Sequence, residues 1–399
     1  MSHPFAASSP APAEITAAEA AGRALRDAGV SMVNCVPAAG ASAVFEAWMA
    51  RTGIHSHWHF HEEVALGMAM GASLAGRRSA VVIKAHGFAK AANALIDALP
   101  AGAEGGLVMI ITSDREGSNS DSIFDTDAFV AGTHLPFRRL YPHELYEGIL
   151  RAFDLSESMG LPVAIIVEEG DLAHRVSVPA AAPARQPSVA VPPRDPLRHT
   201  LFPGNRYPYE VMQAKLAGRD WRDILRPALP VLPDGLPEKF HSALRSSMPV
   251  FDLLKEMRAE IDFIMGDTGT SSLFVCPPYE LLDATTYYGG SIPMTAGALL
   301  CGAKKAWAVT GDWSFTAAGH LGLHEAFHRG LPVKVLIFHN GEALATGGQI
   351  LDEKLFERLL MGYEEFVRRV EVRDGRMLEH ILRSAQESDR MEIVVVDFV

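Results

Sequence analysis

Apolar and polar positions along the chain follow two periods that take turns. Ala17–Ala28 and Ala43–Arg51 repeat their apolar positions at helical spacing, and the apolar run Ser31–Val36 between them suits a buried strand. The period-two alternation His55–His61 predicts a further strand, and the small-residue stretch Glu62–Ala75 predicts a closely packed helix. Buried-strand runs follow at Ser79–Ile83, Gly106–Thr112 and Pro162–Val167, with a helix expected at His143–Ser158. Strands alternating with helices imply a parallel sheet covered on both faces.

From Ala181 to Ser247 the pattern breaks. Prolines crowd at Pro183, Pro187, Pro192, Pro193, Pro196, Pro203 and Pro208, and again at Pro227, Pro230, Pro233 and Pro237. Such a segment cannot feed regular hydrogen-bond ladders and predicts an extended connection with one short helix near Tyr209–Leu216. Alternation resumes after Pro249. Helices are expected at Asp252–Glu260, Met294–Gly302, Gly319–Gly330 and Asp374–Ser388. Strands are expected at Asp262–Met265, Lys305–Val309, Val333–Phe338 and Glu392–Val396. The predicted architecture is two doubly wound parallel α/β domains, 15–180 and 248–399. A proline-rich linker, 181–247, joins them, and a disordered tail, 1–14, precedes them.

Length and composition agree with that picture. The chain has 399 residues, more than one hydrophobic core usually organises, since single cores rarely pass roughly 250 residues. A formal charge of −12 gives no basic footprint for nucleic acid or another polyanion. Cys35, Cys276 and Cys301 are far apart and form no C-x-x-C pair, which fits a reducing cytoplasm. The first residues show no signal-peptide pattern, and no apolar run approaches the roughly 18 residues of a membrane span.

Candidate chemistry concentrates beyond two strands of the second half. Lys305–Val309 runs into Gly311-Asp312-Trp313-Ser314, and Val333–Phe338 runs into His339-Asn340-Gly341-Glu342. Open parallel sheets bind ligands at the carboxyl ends of their strands. An Asp carboxylate, an Asn carbonyl and a backbone carbonyl are the hard oxygen donors that Mg²⁺ takes. A Walker phosphate loop is excluded, because Gly297 and Gly302 are followed by Ala303-Lys304-Lys305 without the Gly-Lys-Ser/Thr ending.

Gly311-Asp312 followed by Asn340 after a helix and a strand resembles the metal–diphosphate motif of thiamine-diphosphate enzymes, with Trp313 and His339 as departures from the usual residues. The stretch Asn340-Gly341-Glu342-Ala343-Leu344-Ala345-Thr346-Gly347-Gly348-Gln349 resembles sulfopyruvate and phosphonopyruvate decarboxylases and, more distantly, the alpha subunit of indolepyruvate:ferredoxin oxidoreductase. The resemblance implies Asp312, Asn340 and the backbone of Glu342 as Mg²⁺ ligands. It also implies that thiamine diphosphate is held by Gly266, Thr268, Gly269 and Thr270, by Gly311, Asp312, Trp313 and Ser314, and by Asn340, Glu342 and Leu344. In Tyr288-Gly289-Gly290-Ser291-Ile292-Pro293-Met294, Ser291 would join the cofactor contacts and Ile292 would be the apolar wedge beneath the cofactor, with Pro293 where a Gly is usual.

In the first half, His61-Glu62-Glu63-Val64-Ala65-Leu66-Gly67-Met68-Ala69-Met70-Gly71-Ala72 resembles the family's cofactor-activating element, in the register that selects Glu62 over Glu63. Lys84-Ala85-His86-Gly87-Phe88 resembles the loop and helix facing the cofactor. It offers His86 for proton transfer or substrate carboxylate, Lys84 for the carboxylate, and Asp114–Asp121 as a rim. Two histidine patterns compete with this reading. His55, His57, His59 and His61 would share one strand face, with Trp58 and Phe60 opposite, as zinc ligands. His320, His324 and His328 recur on a helix; an H-E-x-x-H metal site is set aside there in favour of an amphipathic face with His320 towards the cofactor.

The resemblance implies decarboxylation of a small 2-oxo acid, such as phosphonopyruvate or sulfopyruvate, to an aldehyde. It also implies a homo-oligomer whose sites lie between subunits. A carboligase, an oxidoreductase subunit and a non-catalytic subunit that kept the fold are the alternatives.

Overall fold

The computed structural model describes residues 13–179, 195 and 204–398. In the first half, β1 (Ala13–Thr16) leads into α1 (Ala17–Asp27), whose start is fixed by Thr16 and Glu19 capping each other's backbone N–H groups. Then come β2 (Met32–Cys35), α2 (Ala41–Thr52), α3 (Glu62–Leu74), β3 (Ser79–Lys84), α4 (Ala85–Ala101) and β4 (Leu107–Ser113). The half closes with α5 (Thr126–Gly132), β5 (Phe137–Arg139), α6 (Leu145–Met159), β6 (Val163–Glu168) and β7 (Arg175–Val178). All neighbours in the five-stranded sheet, ordered β2-β3-β4-β6-β5, run parallel.

Between the halves lie α7 (Arg206–Leu216) and α8 (His241–Glu256). The second half runs β8 (Phe263–Asp267), β9 (Ala284–Thr286), α9 (Ser291–Leu300), β10 (Ala306–Gly311) and the single turn α10 (Asp312–Ser314). A π-turn at Phe315–Gly319 passes into α11 (His320–His328). Then follow β11 (Lys334–His339), β12 (Glu342–Ala343), β13 (Gln349–Ile350), α12 (Glu353–Leu360), β14 (Val367–Glu371), α13 (Gly375–Glu387) and β15 (Glu392–Asp397). The six-stranded sheet, ordered β14-β15-β11-β10-β8-β9, is parallel throughout.

Three apolar clusters build the layers. One joins α1, α2 and α6 to the outer face of the first sheet, and another joins α8 and α13 to the outer face of the second. The third is continuous between the sheets and contains α3, α4 and α9. There α3 and α9 cross at backbone contact. A Cβ on Gly71 would lie 1.9 Å from the Met294 carbonyl oxygen, and one on Gly297 would lie 1.9 Å from that of Met68. Only glycine fits at either point. The small residues of Glu62–Ala75 therefore serve a helix–helix crossing that fastens the two halves.

Several expectations are corrected. Ala13 and Glu14 belong to a strand, because β1 pairs antiparallel with β7; the rest of the expected tail lies outside the described residues, as do Pro183–Pro193 and Pro196–Pro203. His55–His61 forms no strand. His59 is buried while His55 and His57 are exposed on an irregular segment, and Phe60 is exposed rather than buried. The helix expected from Asp252 begins at His241 and carries Pro249 inside it.

Candidate functional site

Two clusters gather the candidate residues. The first lies at the carboxyl ends of β8, β10 and β11, where the loops around the second sheet's crevice diverge. Asp312 is its centre and is almost fully buried. Its Oδ1 accepts from the Trp313 N–H at 2.6 Å, and its Oδ2 accepts from the N–H groups of Asn340 at 2.9 Å and Gly341 at 2.7 Å. Gly341, at φ +72°, takes the left-handed turn at this point. Burial pushes the Asp312 carboxyl up from the usual range, and the Gly341, Trp313 and Asn340 N–H groups oppose that. The Asn340 side-chain oxygen accepts from the Glu342 N–H at 3.1 Å.

A small cavity beside this loop is lined by Thr268, Gly269, Thr270, Gly311, Asp312, Trp313, Ser314, Asn340, Glu342 and Leu344, the expected residues. Gly311 holds an ordinary extended conformation, and a Cβ there would meet nothing within 4 Å. Its missing side chain leaves the cavity open. Gly266, Ser291 and Ile292 lie deeper. Gly266 faces Leu282 within β8, and Ile292 is fully buried against Gly319 and Gly322. Ser291 points at Asp267, with its Oγ 3.4 Å from Oδ2.

Asp267 itself was not singled out from sequence. Fully buried, it accepts on Oδ2 from Ser314 Oγ at 2.9 Å and Gly289 N–H at 3.1 Å, with the Thr310 side chain also steadying it, while among the described residues no hydrogen bond of good geometry reaches Oδ1. Burial pushes its carboxyl up to about 7. It ties together the turns after β8, β9 and β10, and its polarity in an otherwise apolar run was the available signal. Tyr288, another cavity residue, was also missed.

The second cluster opens α3. Glu62 and Glu63 occupy its first turn, where the helix dipole favours negative charge. The first turn of α4 lies directly against Glu62. A Cβ on Gly87 would come within 2.8 Å of Glu62 Cγ. Glu62 Oε2 is buried and lies 2.6 Å from Lys90 Nζ, an ion-pair distance without hydrogen-bond alignment. Glu63 instead accepts from Asn93 Nδ2 at 2.5 Å; burial raises its carboxyl and the amide bond counters it. His86 is exposed in the first turn of α4, with Nε2 3.0 Å from Ser122 Oγ and its ring edge-to-face with Phe124. Lys84 is committed elsewhere. Its Nζ donates to the Asn119 carbonyl oxygen at 2.7 Å and pairs with Glu169 at 3.4 Å, so it is not free to hold a substrate. Asp114 gathers the Ser120 hydroxyl and the N–H groups of Asn119 and Ser118, which hold its carboxyl at about 2.

The histidine readings resolve differently. Among the described residues, no three His, Cys, Asp or Glu side chains are placed to hold a metal. His324-Glu325-Ala326-Phe327-His328 does spell H-E-x-x-H, against the sequence reading, but the side chains are used otherwise. Glu325 is buried and accepts from the Phe60 N–H at 2.8 Å, pairs with Arg329 at 3.2 Å, and lies 3.4 Å from His59 Nδ1. The His324 and His328 rings pack on Phe60. His320 bonds the Phe315 carbonyl oxygen through Nδ1 at 3.2 Å. His339 bridges Asp397 at 2.7 Å and Glu353 at 2.9 Å.

Comparison with known proteins identifies what these clusters belong to. Residues 15–130 match the family described as thiamine pyrophosphate enzyme, N-terminal TPP binding domain, and residues 267–396 match its C-terminal TPP binding domain. The chain belongs to the thiamine pyrophosphate enzymes. Among curated relatives, indolepyruvate oxidoreductase subunit IorA of Methanothermobacter thermautotrophicus is 27% identical over 205 residues, 50% of this chain and 33% of the relative. The subunit of the same name from Archaeoglobus fulgidus is 28% identical over 157 residues, 37% and 25% of the two chains. The matches thus span a third or less of those relatives' length. In solved structures the fold is shared with a Rhodococcus jostii RHA1 thiamine diphosphate-dependent 4-hydroxybenzoylformate decarboxylase (TM-score 0.64, 15% identity, 96% of this chain and 98% of that one). Benzoylformate decarboxylase from Polynucleobacter necessarius gives a TM-score of 0.64 at 13% identity, with 96% and 98% covered.

This thiamine pyrophosphate enzyme offers donors that fit its cofactor. The second cluster holds a buried carboxylate oxygen without a hydrogen bond, Glu62 Oε2, and the first holds buried polar atoms that no hydrogen bond of good geometry reaches among the described residues, Asp267 Oδ1 and Trp313 Nε1. The open space at Gly311 faces the hard oxygen donors. Tyr287, in the turn after β9, donates its hydroxyl to the Glu63 carbonyl oxygen at 3.2 Å, while Glu62 and Asp312 share no hydrogen bond or ion pair among the described residues. No helix of the described residues is long and apolar enough to cross a membrane.

Proposed function

We propose that this enzyme binds thiamine diphosphate with Mg²⁺ and decarboxylates a small 2-oxo acid, of the phosphonopyruvate or sulfopyruvate type, without net oxidation. The observation that carries the reading is the pairing of a sheltered carboxylate opening α3 with an oxygen-donor loop beyond β10 and β11, each inside one of the matched cofactor-binding domains. Asp312, the Asn340 side chain and the Glu342 carbonyl would hold the metal. Thr268, Gly269, Thr270 and Ser314 would receive the diphosphate with hydroxyl and amide groups. Bound there, the cofactor supplies an electron sink for cleaving the bond next to a carbonyl.

The chain's own groups do the rest. Glu62 Oε2 holds or releases a proton at the pyrimidine ring, sheltered from water by the first turn of α4. His86 moves a proton to the product or holds the substrate carboxylate. Asp267 keeps the turns around the cavity in place. Since Glu62 and Asp312 sit in separate clusters of one chain, we further propose that a second copy completes each site.

Calorimetric titration with thiamine diphosphate, with and without Mg²⁺, tests the cofactor. Binding that requires the metal is expected, and its absence in both conditions transfers the chain to a non-catalytic role. CO₂ release from a panel of 2-oxo acids then tests the reaction. The names of the matched curated relatives favour a second reading, oxidative decarboxylation; turnover only with an added electron acceptor would select it.

A further inference from the structure

Glu62 is met by one cation, and the reading of Glu62 as the cofactor-facing carboxylate gives that cation a task. α4 presents two polar side chains to the start of α3, one turn apart. Lys90 reaches Glu62 Oε2 at 2.6 Å, and Asn93 reaches Glu63 Oε1 at 2.5 Å. The adjacent carboxylates are thereby turned to different partners by one helix face. The approach depends on Gly87, since any side chain there would strike Glu62. Lys90 is half exposed, whereas the Glu62 side chain is only 13% exposed. The ammonium thus rests on a sheltered oxygen while its side chain remains half open to solvent. Among the described residues no hydrogen bond reaches Oε2.

We infer that Lys90 is a positioning residue that stands at Glu62 Oε2 in the cofactor-free site and yields that oxygen when the pyrimidine ring arrives. A lone carboxylate among buried groups is costly unless a charge or donor compensates it. Lys90 provides the compensation, and its half-exposed side chain can swing into solvent without disturbing the core. An exchange of partners follows. The cofactor displaces a half-exposed ion pair, a kind that contributes little in water. Lys90 therefore competes weakly with the cofactor and holds the carboxylate ready for it.

The test is calorimetric titration with thiamine diphosphate at fixed Mg²⁺, on the unsubstituted protein, Lys90→Met, Lys90→Arg, Glu62→Gln and the Lys90→Met/Glu62→Gln double variant. Lys90→Met is expected to tighten binding about threefold, near the middle of what such an exposed pair is worth. Lys90→Arg is expected to keep the unsubstituted affinity. In the Glu62→Gln background the Lys90→Met change should vanish, because its effect runs through that carboxylate. A merely structural lysine would give the same change in both backgrounds. That result overturns the assignment, and so does unchanged or weaker binding by Lys90→Met alone. If the unsubstituted protein does not bind the cofactor, the cofactor reading and this inference fall together. Binding with the wrong pattern overturns only the role of Lys90.

Discussion

Asp267 shows how much a single side chain can hold in place here. Its carboxyl, ordinarily near 3.8, is raised to about 7 by complete burial, so the folded protein binds its proton more tightly than the unfolded chain does. Its stabilising contribution is then fully present below the unfolded value and is lost as pH rises towards the folded one. Asp267→Asn has no such proton to lose. The melting temperature of the variant relative to the unsubstituted protein should therefore rise between about pH 4 and pH 7 and level off above that; a constant difference would show that Asp267 is not titrating in this window. Nearby in role, Glu62→Gln should leave cofactor binding measurable and remove turnover, read by titration and CO₂ release. At this scale the sequence, through its family resemblance, singled out Asp312, Asn340 and Glu62, and the fold brings the first two into one loop and sets Glu62 at the start of α3. The sequence was opaque at Lys90 and Asp267, whose meaning comes from a neighbour distant along the chain. It also misled at Lys84, a cation that the fold spends on Asn119, Asp114 and Glu169.

Among the elements, the crossing of α3 and α9 decides most. Gly71 and Gly297 bring the two backbones into contact, so even a methyl group forces them apart. Gly297→Ala is expected to cost several kcal/mol, in the range of core overpacking or more, about 1–3 kcal/mol at the least. Gly132→Ala, on α5 with nothing within 4 Å of the added Cβ, should be neutral or slightly stabilising. Thermal melts of the two variants compare them directly, and equal losses would mean that the crossing tolerates separation. The long helices and central strands were readable because apolar periodicity marks them. β5, β9 and β14 were not, being short or lying at a sheet edge, with Arg138-Arg139 and Arg368-Arg369 in place of an apolar run. His55–His61 has a strand's alternation but pairs with no strand; its place is set by Glu325, which accepts the Phe60 N–H.

Across the whole molecule, the fastenings between the two halves include the glycine crossing, the Tyr287 hydroxyl, which donates to the Glu63 carbonyl oxygen at 3.2 Å, and the Glu325 clasp. Glu325, on α11, reaches the segment before α3 through His59 and Phe60, and Arg329 beside it donates to the His57 carbonyl oxygen. Burial works to raise the Glu325 carboxyl, but His59, the Phe60 N–H and Arg329 outweigh it and hold it at about 2. Glu325→Gln would leave Arg329 buried without its counter-charge, so a loss of about 3 kcal/mol is expected by chemical denaturation. A loss under 1 kcal/mol would mean that the clasp adds little to stability and that the other contacts between the halves hold them together.

By itself the sequence determined the two parallel α/β halves and the course of their principal strands, and it offered the residues proposed above for holding metal and diphosphate. These follow from local periodicity and from chemistry that specific side chains carry wherever they are placed. The tertiary structure decided which carboxylate meets which cation, that H-E-x-x-H serves as a clasp, and that Asp267 binds three turns into one cradle. Those are contacts between segments far apart in sequence, and burial, which sets their strength, exists only once the chain has folded.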